Sequence, residues 1–392
     1  MTMEIKPPPR LVALDTQVFD SYNFNYNSKV FQTLVTLAQQ EKIRLLLTSV
    51  TLHEIRSHIT EGAVLTSKAV EQAVNDLNKK RFKPQGDTKR VKISANSDLL
   101  NEFKKKVQEL APNFEQINQE LLDQLKAFLQ ATGFEIIEVD RVSVVDIFEN
   151  YFSGTPPFGE GKKKYEFPDA FALLALQKEA EDRNRIIYVV SGDADWEKFC
   201  SSSEYLSLIG KLDELLETII QETDSDEFDA CYELYSDKKD EIKEYIENKF
   251  SDLNFSMDLS GTSLIEWGSE EIEVEVKSVD IIHSSLVHID DSDADQPSVV
   301  FELEAEVHYD AKVSYESLEY AIYDREDDRY YGVEKIYTVF TQSLKLNVEV
   351  TLTLFRDKDY SLCDADIEDI TIDPNNTLGQ IVIDTGFEDD YY

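Results

Sequence analysis

The sequence predicts two fold classes in one chain. The first is an α/β unit with a doubly wound parallel sheet and a helical arm inserted in it. The second is a mainly antiparallel β unit that is strongly acidic. Three observations carry this expectation. Apolar runs with little polar alternation, Leu11–Leu14, Ile43–Leu47 and Ile186–Val190, are interleaved with segments of helical periodicity, as strands buried on both faces are. From Leu264 onward the pattern changes to period two. The charge is also uneven: of a net −40, −33 falls on residues 223–392 and −7 on residues 1–222.

These features divide the chain into residues 1–222, with a basic helical arm at about 61–132, a helical linker at 223–263, and an acidic β-rich domain at 264–392. A hydrophobic content of 42% with 11% aromatics is enough for packed cores. No apolar run reaches the ~18 residues of a membrane span, and the polar, proline-rich start lacks the apolar core of a signal peptide. Cys200, Cys231 and Cys363 are scattered and odd in number, which argues against a disulfide framework and a zinc site and for a reducing, cytoplasmic setting.

In order, Leu11–Leu14 reads as a first strand with Asp15 at its exit, and Val30–Gln40 as an amphipathic helix. Ile43–Leu47 is the second strand, followed by a helix bearing Leu52, Glu54, Ile55 and Ile59. His53 and His58 are five apart and so stand about 140° apart on a helix, which does not suit a shared zinc ion. The region from Glu61 to about Gln130 is helical in character, with a loop at Pro84–Asp87. Between positions 79 and 106 it holds ten bases, among them Lys79, Lys80, Arg81, Lys83, Lys89 and Arg90, against three acids. In so acidic a chain this is a track for a phosphate backbone, or else a solvated arm.

Phe134–Val139 reads as a third strand and Val142–Tyr151 as a short helix. The stretch Ser153–Glu166 is too rich in glycine and proline for regular structure, and its Lys162, Lys163 and Lys164 suit a phosphate, although no Walker pattern can be laid on it. Phe167–Pro168–Asp169 opens an apolar helix. Ile186–Val190 runs into Ser191-Gly-Asp193-Ala-Asp195-Trp196, placing two acids just past a buried strand, where open α/β sheets bind ligands. Without a basic neighbour they suggest a divalent metal, the other reading being a plain strand–helix junction with Asp195 as its N-cap. Tyr205–Ile209 and Leu212–Ile220 complete the unit as a fifth strand and a closing helix.

Beyond it, Phe228–Phe250 reads as an amphipathic helix connecting the domains, and Ile272–Lys277, Val299–Val307 and Leu344–Leu354 as half-exposed antiparallel strands. Asp290–Asp295 has the composition of a calcium loop without its glycine and terminal glutamate, and is expected to be a solvated hairpin loop.

Four acids thus stand at strand exits or helix starts: Asp15, Glu54, Asp169 and Asp193, with Asp195 as a fifth. Leu14-Asp15-Thr16, Leu52-His53-Glu54-Ile55, Pro168-Asp169-Ala-Phe and Ser191-Gly-Asp193-Ala-Asp195-Trp196 resemble, in order and setting, the four motifs of PIN-domain nucleases. The segment Phe158–Lys164 resembles the PIN-like subfamily once listed as DUF4935. Serine and tryptophan stand where threonine and phenylalanine are common, and the 61–130 arm is longer than in minimal members. The resemblance, over about residues 8–222, implies a metal-dependent endonuclease, a hydrolase of phosphodiester bonds, with RNA favoured over single-stranded or structured DNA. It implies Mg²⁺ or Mn²⁺ held by Asp15, Glu54, Asp169 and Asp193, with Asp195 as an outer ligand and Thr16 and Ser191 orienting the carboxylates. A stress-response or phage-defence setting fits such an enzyme. The competing expectation is a PIN-like module that binds nucleic acid or protein without cleaving. The acidic domain is expected to dock a regulatory partner, or to lie over the basic arm and restrain it.

Overall fold

A computed structural model describes residues 7–79, 114–158, 166–223, 225–257, 271–293, 296–324, 326 and 329–384. Lys80, Arg81, Lys83, Lys89, Arg90 and Lys162–Lys164, named above as phosphate contacts, lie outside these residues, and Lys79 is the last residue of a helix. The chain divides into two compact units, Met1–Asn27 with Leu34–Lys211, and Ser28–Thr33 with Leu212–Tyr392.

The first unit is built on five parallel strands, β1 (Arg10–Leu14), β2 (Ile43–Thr48), β3 (Glu135–Ile137), β4 (Ile187–Val190) and β5 (Leu206–Ile209), in the spatial order β3-β2-β1-β4-β5. This is the doubly wound α/β sheet expected from the unalternated apolar runs. Leu11, Ala13, Leu46, Ile187 and Val189 are buried with Leu173, Leu176 and Trp196, so side chains on the strands find apolar cover from helices. In the cluster those are α6 (Phe167–Arg183) and α7 (Ala194–Ser201); the other helices are α1 (Thr16–Ser21), α2 (Lys29–Gln39), whose first turn groups with the second unit, α3 (Ser49–Lys79), α4 (Phe114–Thr132) and α5 (Val144–Ser153). Helix α6 starts with Pro168 in its first turn, where a missing N–H costs nothing, and ends at Asn184 in the left-handed region. None of the described helices is long and apolar enough to cross a membrane.

The second unit contains α8 (Leu212–Thr223), α9 (Ser225–Phe250) and a short parallel pair, β6 (Phe255–Met257) with β13 (Ile381–Ile383). Its body is an antiparallel sheet of β7 (Glu271–Asp290), β8 (Ser298–Ser317), β11 (Glu334–Arg356) and β12 (Leu362–Ile372), ordered β12-β11-β8-β7, with a small hairpin of β9 (Ile322–Asp324) and β10 (Arg329–Tyr331). Strands β7 and β8 pair antiparallel, with Asp290 opposite Ser298; Ala294 and Asp295, part of the stretch expected to form a hairpin loop, lie outside the described residues. Helix α9, expected as a connection, packs on this sheet: Phe228, Cys231, Tyr235, Ile242, Ile246 and Phe250 share one core with Phe301, Leu303, Val348 and Leu352. Intervening acids pair with lysines across the strands, as in Lys345–Glu304 and Lys312–Glu275.

Candidate active site at the ends of β1 and β4

Strands β1 and β4 are hydrogen-bonded neighbours in parallel register, with Leu14 opposite Val190. Their C-terminal exits are therefore side by side. The Asp15 backbone N–H donates to the Val190 carbonyl (3.0 Å), which continues the ladder one residue past the strand. That leaves the Asp15 and Ser191 side chains adjacent, and Ser191 Oγ donates to Asp15 Oδ2 at 2.7 Å. Asp15 also stands at the N-cap position of α1, yet its side chain makes no capping bond, so the carboxylate is left for other partners.

Helix α3 leaves β2, the neighbour of β1 on its other side, and brings Glu54 to the same rim. Thr16 Oγ1 donates to Glu54 Oε2 at 3.0 Å. Asp169, in the first turn of α6, accepts at Oδ1 from Trp196 Nε1 at 2.9 Å. Asp193, not Asp195, is the N-cap of α7: its Oδ1 accepts from the backbone N–H groups of Asp195 (2.6 Å) and Trp196 (3.2 Å). Asp195 is buried in the first turn and pairs with Lys198 at 2.9 Å, so it does have the basic neighbour that the sequence reading denied it. His58 turns away to Asp20 (Nδ1 to Oδ2, 2.9 Å).

Electrostatics bind Asp15, Glu54, Asp169, Asp193 and Asp195 into one field. Asp15, only 8% exposed, has its pKa pushed up from 3.8 to about 6, chiefly by burial. The Ser191 hydrogen bond opposes the rise, and repulsion from Asp169 and Glu54 adds to it. Burial also raises Glu54, against the Thr16 hydrogen bond and with repulsion from Asp169. Asp169 rises through burial, against the Trp196 hydrogen bond and with repulsion from Asp193 and Asp195. Trp196 is the contributor that pattern reading missed. It registered there only as a replacement for phenylalanine, although a buried indole beside a strand-exit acid needs an acceptor for its N–H.

Residues 12–196 match the PIN domain family. This part of the chain is a PIN domain. No curated protein and no solved structure matches the chain. PIN domains are generally nucleases that use divalent metal ions, and the match spans all four acidic motifs, ending at Trp196.

A divalent cation suits this PIN domain in kind. The donors are all oxygens, and Asp15, Glu54 and Asp169 are held above their ordinary pKa, although nearby His58 and His53 oppose the rise at Glu54. A doubly charged ion would draw all three back down. Among the described residues, however, no three His, Cys, Asp or Glu side chains are grouped closely enough to hold a metal ion, so the acids do not form a finished cage.

Proposed function

We propose that the PIN domain is a divalent-metal-dependent endonuclease that hydrolyses phosphodiester bonds in RNA, in the manner of the DUF4935-type subfamily. The observation that carries this reading is the buried Asp15 carboxylate, raised to about 6 and coupled to Glu54 and Asp169. A structural carboxylate buried so deeply is normally neutralised by an arginine or lysine. Here its direct side-chain partner is a serine hydroxyl.

Asp15, Glu54, Asp169 and Asp193 would hold Mg²⁺ or Mn²⁺. The bound ion would supply an activated water and offset charge on the phosphate. Ser191 fixes the Asp15 carboxylate, Thr16 fixes Glu54 and the Trp196 indole fixes Asp169, so three acids have their orientation set by neutral donors that leave the charge intact. Asp193 caps α7 and thereby holds the Asp195 and Trp196 backbone in place. Asp195, paired with Lys198, serves as an outer group. The net +7 of residues 79–106, together with Lys162–Lys164, supports binding to a phosphate backbone. The −33 on residues 223–392 supports a docking or restraining role for the second unit, and a place in stress response or phage defence is consistent with a restrained nuclease.

The absence of a grouped ligand set among the described residues favours one second reading, a module that binds nucleic acid without cleaving it. Purified full-length protein incubated with Mn²⁺ and labelled RNA, single-stranded DNA and duplex DNA separates the two. Cleavage of RNA, lost in Asp15→Asn and Asp193→Asn proteins that keep the wild-type circular dichroism spectrum, is the expected result. Undiminished cleavage by both variants would sink the assignment, and binding without cleavage by the wild type would establish the second reading.

A further inference from the structure

The order β3-β2-β1-β4-β5 changes direction between β1 and β4. In an open parallel sheet, the crevice outside the C-terminal ends of such a pair is where ligands bind. On one side of it α1 carries Gln17, exposed between the buried Thr16 and Val18. On the other side β4 runs out into Ser191, Gly192 and Asp193. The Gln17 carboxamide lies against Gly192: a Cβ added there would stand 3.2 Å from Gln17 Oε1, 3.7 Å from its Cδ and 3.8 Å from Nε2. A side chain at position 192 would therefore push the amide aside. The backbone of Gly192 is not in the left-handed region that favours glycine, so what the missing side chain provides is room for this neighbour. The other neutral donors of the rim are engaged, Thr16 with Glu54, Ser191 with Asp15 and Trp196 with Asp169. Among the described residues the Gln17 carboxamide makes no hydrogen bond.

We propose that Gln17 is a substrate-binding residue whose side-chain N–H groups meet a non-bridging oxygen of the phosphodiester, and that position 192 is glycine to leave it room. This rests on the nucleic-acid reading above. A phosphodiester oxygen accepts hydrogen bonds and donates none, and glutamine is among the side chains that supply its partner. The amide offers two N–H donors without a charge. A lysine in its place would pair with the carboxylates of the rim, and a further acid would repel the phosphate. The neutral donor does neither, so it can approach a phosphate among acids and leave their charge intact.

The test uses full-length protein carrying Asp15→Asn, which is expected to bind without cleaving, and a fluorescein-labelled single-stranded RNA read by anisotropy. Adding Gln17→Ala weakens binding about tenfold, and Gln17→Met, of similar length without an N–H, weakens it as much. Gln17→Glu weakens it further, because a carboxylate then faces the phosphate. Gly192→Ala weakens binding as much as Gln17→Ala, and the two together are no worse than either alone. All of these proteins keep the wild-type circular dichroism spectrum. In the cleaving protein, Gln17→Ala lowers kcat/KM by the same factor. Retained binding in Gln17→Met overturns the assignment and makes the contact one of packing. Losses from Gln17→Ala and Gly192→Ala that multiply overturn the role given to Gly192. RNA binding indifferent to every change at Gln17 overturns the proposal and leaves the nuclease reading standing, whereas RNA bound by neither the wild type nor Asp15→Asn defeats both. If no protein cleaves but the pattern of binding losses is seen, the Gln17 contact stands and only the hydrolytic assignment fails.

Discussion

At the rim of the sheet, Asp15 is stabilised by the Ser191 hydroxyl and the Thr16 backbone N–H and repelled by two other acids, and its protonation reports on that conflict. The native state holds a proton on Asp15 up to a pH of about 6, whereas an ordinary aspartate releases it near 3.8. Between those values the folded protein binds more protons than the unfolded one, so ion-free stability falls as pH rises through this window. The separation corresponds to about 3 kcal/mol of destabilisation at neutral pH. Asp15→Asn should therefore raise the Tm of ion-free protein at pH 7 while abolishing cleavage, and the two Tm values should converge near pH 4. Mn²⁺ should raise the Tm of the wild type and leave the variant unmoved; a variant less stable than wild type at pH 7 would refute this account. Trp196→Phe removes one N–H and keeps a ring of similar bulk. Asp169 then loses the hydrogen bond that restrains its pKa, so the acidic limb of the pH–rate profile should move to higher pH. A lower Tm with an unshifted profile would make the indole a packing residue only. That role was invisible in the sequence, because its partner lies 27 positions away. The acids themselves were legible, because each follows an apolar run or opens a helix. Which of Asp193 and Asp195 would cap α7 was not, since two carboxylates two residues apart compete for the same backbone donors.

Among the elements, the parallel strands were readable because burial on both faces leaves few polar residues to confuse the pattern. The antiparallel strands were read too short. Strands β7 and β8 each run 20 residues and β11 runs 23, where three shorter stretches were expected. The register shifts between Val276 and Ser278, Ile281 and His283, and Leu286 and His288 change which residues face inward, so period-two counting loses its phase at each one. Strand β12 was missed because Asp364, Asp366, Glu368 and Asp369 crowd its eleven residues, although Ala365 and Ile370 are buried from it. Helix α9 was read as a connection because its charged face dominates its composition. The packing of α9 on β8 centres on Phe301, fully buried, stacked on Tyr235 at 4.4 Å and edge-on to Tyr232 at 5.2 Å. Phe301→Ala should cost ~3–5 kcal/mol in denaturant unfolding of this unit. A loss under ~1 kcal/mol would mean that the helix and sheet are held together by other contacts.

For the whole molecule, the net charge of −40 opposes any polyanionic substrate. Long-range repulsion is screened within about 10 Å at 0.1 M salt, whereas short contacts between lysines and phosphates survive to higher ionic strength. Cleavage of RNA at low substrate concentration should therefore rise as salt is added up to roughly 0.1 M and decline beyond it. A rate that falls monotonically from the lowest salt would show that the acidic surface exerts no field on the incoming strand.

The packing of α5 against the start of α6 has a thermal consequence. Three buried side chains, Ile147, Phe158 and Ala170, form its centre, against fifteen in the cluster under the sheet. So small a knot should give way first on warming. The proposed cleavage would then stop while the strands are still paired, and its ceiling temperature would be a property of one corner rather than of the fold.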